Sequence, residues 1–195
     1  NIVNSLKPEL ILVCAYGQIL NKSFLEIPSK GCFNLHFSFL PKLRGASPVQ
    51  TAISSGINKT GVCLQKMILS LDAGPLVASS SPEKIKQDDT SLTLGNRLSI
   101  IGGQLIHETL PTLLDGNYTE IEQNEKEATY CKIIRKQDGQ VQWNKERAYE
   151  IERKSRAFQP WPGIFSFYVH SKNSLKISRI QLKKVEVLEG DFQPG

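Results

Sequence analysis

The chain has 195 residues, of which 39% are hydrophobic and 22% are charged, and its formal net charge is +5. This composition is typical of one large globular domain or two small ones, and no apolar run approaches the ~20 residues of a membrane-spanning helix. The four cysteines lack the close spacing of metal ligands and lie in apolar or strand-like stretches. They are interpreted as buried thiols in a reducing compartment, and they imply neither a disulfide framework nor a zinc site.

The first third of the chain predicts a parallel sheet. Residues 9–15 form a continuous apolar run that is typical of a strand buried on both faces. A short helix is predicted at residues 22–25, and a second strand follows at residues 32–36. Two strands joined by a helical segment favour a βαβ crossover. The loops at the carboxyl ends of these strands, with Gln18 and His36, are therefore expected to line one crevice.

The second predicted strand contains the first candidate catalytic residues. Because residues two apart in a strand point the same way, Asn34 and His36 are expected to present an amide and an imidazole side by side. An imidazole with a pKa near ~6.5 can pass protons at working pH. A fixed carboxamide can donate to an oxygen that becomes negative in a transition state. The strand should end in a shaped loop, because Pro41, Gly45 and Pro48 break any regular pattern.

A short helix and a strand pair are predicted next. The helix begins at Ser47-Pro48 and ends at Gly56, and its positive N-terminal end would favour developing negative charge. Strands are predicted at residues 60–68 and 75–79, with Asp72 in the turn between them. On pattern alone, Asp72 is more readily interpreted as a turn residue than as a functional one.

The remaining elements divide into a long helix, a linker and a basic region. Thr90 is predicted to cap a helix that extends to Leu114, although Gly102-Gly103 could divide it into two. The polar residues 117–129 are interpreted as a linker. Further predictions are a strand at 141–143, a helix at 145–158, and strands at 164–169, 175–180 and 183–188 with a turn at 171–173. Such short strands suggest a small barrel or an open sheet.

Charge is divided unevenly along the chain. Residues 1–131 hold 11 Lys and Arg against 12 Asp and Glu, a net of −1, whereas residues 132–195 hold 13 against 7, a net of +6. The excess is interpreted either as a solvated surface or as a contact region for a polyanion such as RNA.

Several motifs in order resemble a known family. Asn34-Leu35-His36, the loop Ser38-Phe39-Leu40-Pro41 and the later Leu71-Asp72-Ala73-Gly74 resemble the folate-dependent formyltransferases. Within that superfamily, Arg44-Gly45-Ala46-Ser47-Pro48-Val49-Gln50 and Arg156-Ala157-Phe158-Gln159-Pro160-Trp161-Pro162-Gly163 resemble the methionyl-tRNA formyltransferase family. The resemblance covers nearly the whole chain.

The resemblance implies an α/β fold with two parts. A partial Rossmann-like formyltransferase domain with a mainly parallel sheet is expected at residues 1–115. A linker is expected at 116–134, and part of a small OB-like β-barrel domain at 135–195. The chain begins at Asn1 rather than Met. It is therefore expected to be a fragment that lacks the N-terminal part of the first domain and the end of the barrel.

The activity that the resemblance implies is metal-free transfer of a formyl group from 10-formyltetrahydrofolate to the α-amino group of initiator methionyl-tRNA. Asn34, His36 and Asp72 would be catalytic, with the Asp72 carboxylate within about 4 Å of the His36 ring. The residues expected to contact folate are Gln18, Ile19, Leu20, Ser38, Phe39, Leu40, Pro41, Leu69, Ser70 and Leu71. Those expected to contact tRNA are Arg44, Arg135, Lys136, Arg153 and Arg156.

Two alternatives remain open at the level of sequence. A sister formyltransferase or deformylase would use a small acceptor, namely a nucleotide sugar, glycinamide ribonucleotide or water. A non-catalytic RNA-binding module would account for the basic C-terminal third but not for the Asn-x-His pattern. The resemblance further implies a monomer without membrane contact, in the bacterial cytoplasm or an organelle matrix.

Overall fold

A computed structural model of the chain describes residues 2–170 and 177–190. The helices are α1 (Ile2–Ser5), α2 (Lys22–Leu25), α3 (Pro48–Ser54), α4 (Ser91–Asp115) and α5 (Ala148–Ala157). The strands are β1 (Ile11–Cys14), β2 (Cys32–His36), β3 (Arg44–Gly45), β4 (Lys59–Thr60), β5 (Cys63–Lys66), β6 (Leu76–Ser79), β7 (Glu83–Lys84), β8 (Tyr130–Cys131), β9 (Ile164–Val169) and β10 (Ile177–Leu182). None of the helices in this part of the chain is both long and apolar enough to cross a membrane.

The central sheet has four strands in the order β1-β2-β5-β6. The predicted βαβ crossover is confirmed, because β1 and β2 are parallel and α2 lies between them in the chain. The other two pairs, β2 with β5 and β5 with β6, are antiparallel, so the described sheet is mixed rather than mainly parallel. The loop of residues 67–75 joins β5 to β6, and it is too short for the crossover that a parallel pair would need.

Strand β1 lies at the edge of this sheet and is not buried on both faces as the apolar run predicts. Its residues alternate between half-buried and exposed, and the Leu12 side chain is 41% exposed. An edge strand has a hydrogen-bonded neighbour on one side only. In the described residues only one face of β1 packs against the protein.

Helix α4 packs across the sheet and holds its core together. The helix is continuous through Gly102-Gly103, so the possible division into two helices is not observed. A Cβ on Gly102 would lie 3.5 Å from Leu35 and 3.6 Å from Val62, which places the helix close to the sheet. The Thr90 side chain caps its N-terminus as predicted, and Gly116 ends it in the left-handed conformation.

The C-terminal part packs against the first domain through α5 and α3. Its buried side chains, among them Ile151 and Ile164, belong to the same core as Ile53 of α3. Strands β9 and β10 form an antiparallel hairpin. Residues 141–143 form no strand; instead the Val141 backbone N–H donates to the Phe165 carbonyl.

Two other predictions for the C-terminal part also differ from the structure or lie outside it. Residues 183–188 do not form a strand. The predicted turn at 171–173 lies outside the described residues.

The segment interpreted as a linker is packed against the N-terminal part of the chain. Ile121 forms a β-bridge with Leu76, and β8 pairs in parallel with β3. The polar composition of this segment reflects hydrogen bonds to protein groups as well as contact with water. This arrangement brings residues 121–131 beside the turn that carries Asp72.

Candidate active site

Asn34 and His36, in the carboxyl-terminal half of β2, lie beside Asp72. The His36 Nδ1 atom is 3.6 Å from Asp72 Oδ2, which confirms the predicted separation of less than about 4 Å. The Asn34 amide nitrogen is 3.4 Å from Asp72 Oδ1. The His36 side chain is 5% exposed, so this part of the site is buried.

A turn within the loop between β5 and β6 positions Asp72. Asp72 has a φ of +48°, in the left-handed region that non-glycine residues occupy infrequently. A Cβ on Gly74 would lie 1.8 Å from the Lys66 carbonyl oxygen, so only glycine fits there without displacing the backbone. The turn is therefore tied to β5 by a close approach of main chain to main chain.

The Asp72 carboxylate accepts hydrogen bonds from three directions. The Gly45 backbone N–H donates to Oδ2 at 2.8 Å, and the Gln65 amide donates to Oδ1 at 2.9 Å. The longer contact from Asn34 completes the set. These donors stabilise a carboxylate that is shielded from water.

One nitrogen of the His36 imidazole is hydrogen-bonded, and the other faces a carboxylate oxygen at 3.6 Å. Its Nε2–H donates to the Leu43 carbonyl at 2.8 Å, which leaves Nδ1 facing Asp72. Burial lowers the pKa of His36, and the nearby Asp72 charge and the Leu43 carbonyl oppose this shift. The neutral ring thus carries its proton on Nε2, and Nδ1 is the basic atom.

Two glutamines of this site were not predicted from the sequence. Gln65 is 2% exposed and lies opposite Asn34 in the β2–β5 register. A polar residue inside an otherwise apolar strand pattern was the available signal for it. Gln123 donates to the main chain of the Asp72 turn, and nothing in its polar, aperiodic surroundings indicated this contact.

The residues expected to contact folate fall into an exposed and a buried group. Ile19, Leu69 and Leu71 are 86%, 61% and 57% exposed, and these apolar surfaces suit a flat aromatic ring system. Ser38 and Leu40 are buried, and the Ser38 hydroxyl donates to the Lys42 carbonyl. They shape the loop from inside. The other members, Gln18, Leu20, Phe39, Pro41 and Ser70, are exposed or half-buried.

The residues expected to contact tRNA are separated in the structure. Arg44 is 1% exposed and pairs with Glu125 at 2.6 Å, so it lies in the interior, unlike the surface position that a phosphate contact needs. Arg156 is paired with Glu152 and also donates to a main-chain carbonyl. Arg135 and Lys136 are exposed, and Arg153 is half-buried.

An open groove is lined in part by the exposed residue Arg135. It has a volume of about 740 Å³ and lies between α3 and the residues that follow β8. Hydroxyl side chains of Ser47 and Thr51 line one wall, and Tyr130, Lys132 and Arg135 line the other. Hydroxyl, aromatic and cationic groups together suit a nucleotide chain. Among the residues with described positions, no cluster of three or more His, Cys, Asp or Glu side chains could hold a metal ion.

Comparison with known proteins decides the family. A family model described as "Formyl transferase" matches residues 1–110. The chain belongs to the formyl transferase family. A second model, "Formyl transferase, C-terminal domain", matches residues 133–195. The family assignment and the α/β fold expected from the sequence are thereby confirmed.

Two curated relatives of this chain carry the same name. The chain is 39% identical over 188 residues to a methionyl-tRNA formyltransferase of Caldicellulosiruptor saccharolyticus, covering 96% of this chain and 58% of the relative. It is 41% identical over 193 residues to that of Thermodesulfovibrio yellowstonii, covering 99% and 59%. The chain thus spans somewhat more than half the length of these relatives.

Solved structures share the fold at lower identity. A 4-N formyltransferase from Francisella tularensis has a TM-score of 0.75 at 18% identity, covering 95% of this chain and 75% of that one. HypX from Aquifex aeolicus, crystallised with tetrahydrofolic acid, has a TM-score of 0.71 at 19% identity, covering 82% and 27%. These likenesses establish the formyltransferase fold.

Proposed function

We propose that the protein carrying this chain transfers a formyl group from 10-formyltetrahydrofolate to the α-amino group of initiator methionyl-tRNA. The observation that carries the proposal is the convergence of Asn34, His36 and Asp72 at one end of β2, in a chain of the formyl transferase family. The acceptor is chosen on the curated relatives at 39% and 41% identity, which exceed the identity to the solved neighbours.

The Asn34 amide is the donor for the oxygen that becomes negative during transfer. Among the described residues it donates only to Asp72, so its second N–H is available to a substrate. A fixed donor at such an oxygen lowers the barrier by about 3 kcal/mol in enzymes that use one. Because β2 pairs on both sides, with β1 and β5, the position of this amide is fixed.

His36 and Asp72 transfer the proton of the attacking amine to the departing folate nitrogen. 10-Formyltetrahydrofolate supplies the formyl carbon, to which the amine nitrogen bonds as the folate nitrogen leaves. His36 Nδ1 takes the proton that the attacking amine loses and returns it to the departing nitrogen, so that no net proton is consumed. The Asp72 carboxylate stabilises the imidazolium that forms between these two steps.

The substrates are assigned to two surfaces. The exposed side chains Ile19, Leu69 and Leu71 suit the ring system of the folate, and the buried loop residues Ser38 and Leu40 support that surface. The RNA acceptor is assigned to the groove beside Tyr130, to the exposed cations Arg135 and Lys136, and to the half-buried Arg153. Arg44 is assigned to the support of the site instead.

The same proposal covers the organisation of the protein. Residues 1–115 supply the catalytic part, 116–134 the connection and 135–195 part of a C-terminal domain that contributes to RNA binding. Because the named relatives are bacterial, the bacterial cytoplasm is proposed as the location, with an organelle matrix as the alternative.

An acceptor assay tests the proposal. The full-length protein is given 10-formyltetrahydrofolate carrying a labelled formyl group, with either methionyl-tRNA or an amino-sugar nucleotide. Label is expected in the methionyl ester only. Label in the sugar nucleotide alone would assign the chain to a small-acceptor branch of the family. RNA binding without transfer to any acceptor would favour the non-catalytic module.

A further inference from the structure

The Gln123 side chain spans the turn that carries Asp72. Its amide nitrogen donates to the Asp72 carbonyl at 2.8 Å and to the Gly74 carbonyl at 2.7 Å. Both hydrogens of one amide are thus used on two main-chain oxygens of one turn. Because Asp72 occupies the left-handed region, its backbone conformation is strained and needs such external bonds.

The orientation of the Gln123 amide is fixed by a buried cation. Its Oε1 atom accepts from Arg44 Nε at 3.1 Å and from Nη2 at 2.8 Å. The guanidinium can only donate, so the oxygen of Gln123 must face Arg44 and the NH₂ must face the turn. Glu125 holds the other edge of the guanidinium with bonds of 2.6 and 3.0 Å.

The same short strand secures the carboxylate itself. Arg44 belongs to β3, and the N–H of the next residue, Gly45, donates to Asp72 Oδ2. The Arg44 N–H in turn donates to the Thr129 carbonyl, just beyond Glu125 in the chain. The main chain and the side chain of Asp72 are therefore held by one group of contacts, and its outer part comes from residues 123–131.

We propose that Gln123 is a positioning residue for Asp72, oriented by the Arg44–Glu125 pair, and that residues 123–131 thereby set the distance between Asp72 and His36. The catalytic meaning of this role rests on the proposed function, but the positioning itself does not. A change in one backbone dihedral angle of the turn would move the Asp72 carboxylate away from His36 Nδ1. Displacements of catalytic groups near 1 Å lower the rate by up to about 10²-fold.

Two substitutions separate positioning from packing. Gln123→Leu removes the acceptor and both donors. Gln123→Glu keeps the shape and the acceptor for Arg44 but loses the donors to Asp72 and Gly74. Gln104→Leu makes the same change at an exposed position of α4 and serves as the matched control. If Gln123→Leu does not fold, Gln123→Glu carries the test.

The first readout is the titration of the His36 ring, followed by NMR in the full-length protein. Loss of the neighbouring charge in Asp72→Asn should lower the midpoint, because that charge favours the imidazolium. Gln123→Leu should shift it in the same direction, and Gln104→Leu should not. The carboxylate that Gln123→Glu adds would itself favour the imidazolium, so that variant is judged by kcat. A wild-type midpoint in Gln123→Leu, or in Asp72→Asn itself, would overturn the inference.

The second readout is the division between kcat and KM. A displaced carboxylate should lower kcat by about tenfold or more while the KM for methionyl-tRNA stays near wild type, since the groove assigned to RNA is formed by other residues. An unchanged kcat in both Gln123 variants would also overturn the inference. If the wild-type protein transfers no formyl group, the proposed function fails, and the ring titration still decides whether Gln123 positions Asp72.

Discussion

The surroundings of His36 set the chemistry of the site at the scale of single residues. Burial disfavours its charged form, and Asp72 and the Leu43 carbonyl favour it. The net effect is a pKa of His36 below its usual range, so the ring is neutral near pH 7 and Nδ1 can accept a proton.

This balance predicts a pH dependence of stability. The pKa of His36 is lower in the folded state than the ~6.5 of an unfolded chain, so the unfolded state binds more protons in between. The stabilising contribution is complete above pH ~6.5 and is lost as pH falls through the folded pKa. Urea unfolding of wild type and His36→Gln should therefore give stability differences that are constant above pH ~6.5 and move in favour of the variant below it. Parallel curves down to pH 5 would contradict this account of His36.

The sequence predicted some residues of the site and not others for a physical reason. Asn34 and His36 are two apart in a strand, so local geometry alone places them together. Asp72 is far along the chain, and only the resemblance, not its turn pattern, gave it a role. Gln123 reaches the site through contacts that no local pattern encodes.

Helices and strands were predicted best where one period dominates. Helix α4 follows a clear 3.6-residue apolar pattern, and its cap at Thr90 was predictable. Residues 141–143 have strand-forming side chains, yet Val141 instead makes a single link to Phe165. The direction of β5 could not be deduced from its own residues, because pairing depends on which neighbour the tertiary structure supplies.

The turn between β5 and β6 depends on glycine at position 74. Gly74→Ala would place a methyl group against the Lys66 carbonyl and displace the turn, and with it Asp72. We expect a loss of about 1–3 kcal/mol of unfolding free energy in denaturant titrations, together with reduced activity. Gly103→Ala is the matched control, since no atom lies within 4 Å of its Cβ on α4, and it should gain up to about 1 kcal/mol. Equal stability of the two variants would show that the turn tolerates a side chain.

The packing of α4 gives a second comparison of matched variants. Leu94 is fully buried, whereas Leu92 on the same helix is 54% exposed. Leu94→Ala should cost about 2–5 kcal/mol, because it removes buried methyl groups and leaves a cavity. Leu92→Ala should cost about 0.5 kcal/mol or less. Similar losses in the two variants, measured by denaturant unfolding, would contradict this placement of the helix.

At the scale of the whole molecule, charge and packing divide the chain differently. Residues 132–195 carry the net positive charge, yet α5 shares its core with α3 of the first domain. Part of the basic character is also neutralised locally, as in the Arg156–Glu152 pair. The cations available to a polyanion are thus fewer than composition alone suggests.

The exposed cations predict a salt-dependent affinity for RNA. Replacing Arg135 and Lys136 by glutamine should raise the KM for methionyl-tRNA and leave kcat unchanged. The slope of the logarithm of affinity against the logarithm of salt concentration should become shallower by about 0.7–0.9 per lost phosphate contact. Lys59→Gln with Lys84→Gln makes the same charge change on the exposed β4–β7 pair as a control. An identical effect of the control pair would mean that net charge alone, not this surface, governs binding.

The central claim is that the protein transfers formyl groups to methionyl-tRNA through Asn34, His36 and Asp72. Single-turnover transfer from 10-formyltetrahydrofolate to methionyl-tRNA, in full-length wild type and His36→Ala, tests it most directly. We predict formyl-methionyl-tRNA in the wild type and a rate at least ~10²-fold lower in the variant, with RNA affinity nearly unchanged. A wild-type rate in His36→Ala, or no formylated RNA with the wild type, would contradict the claim.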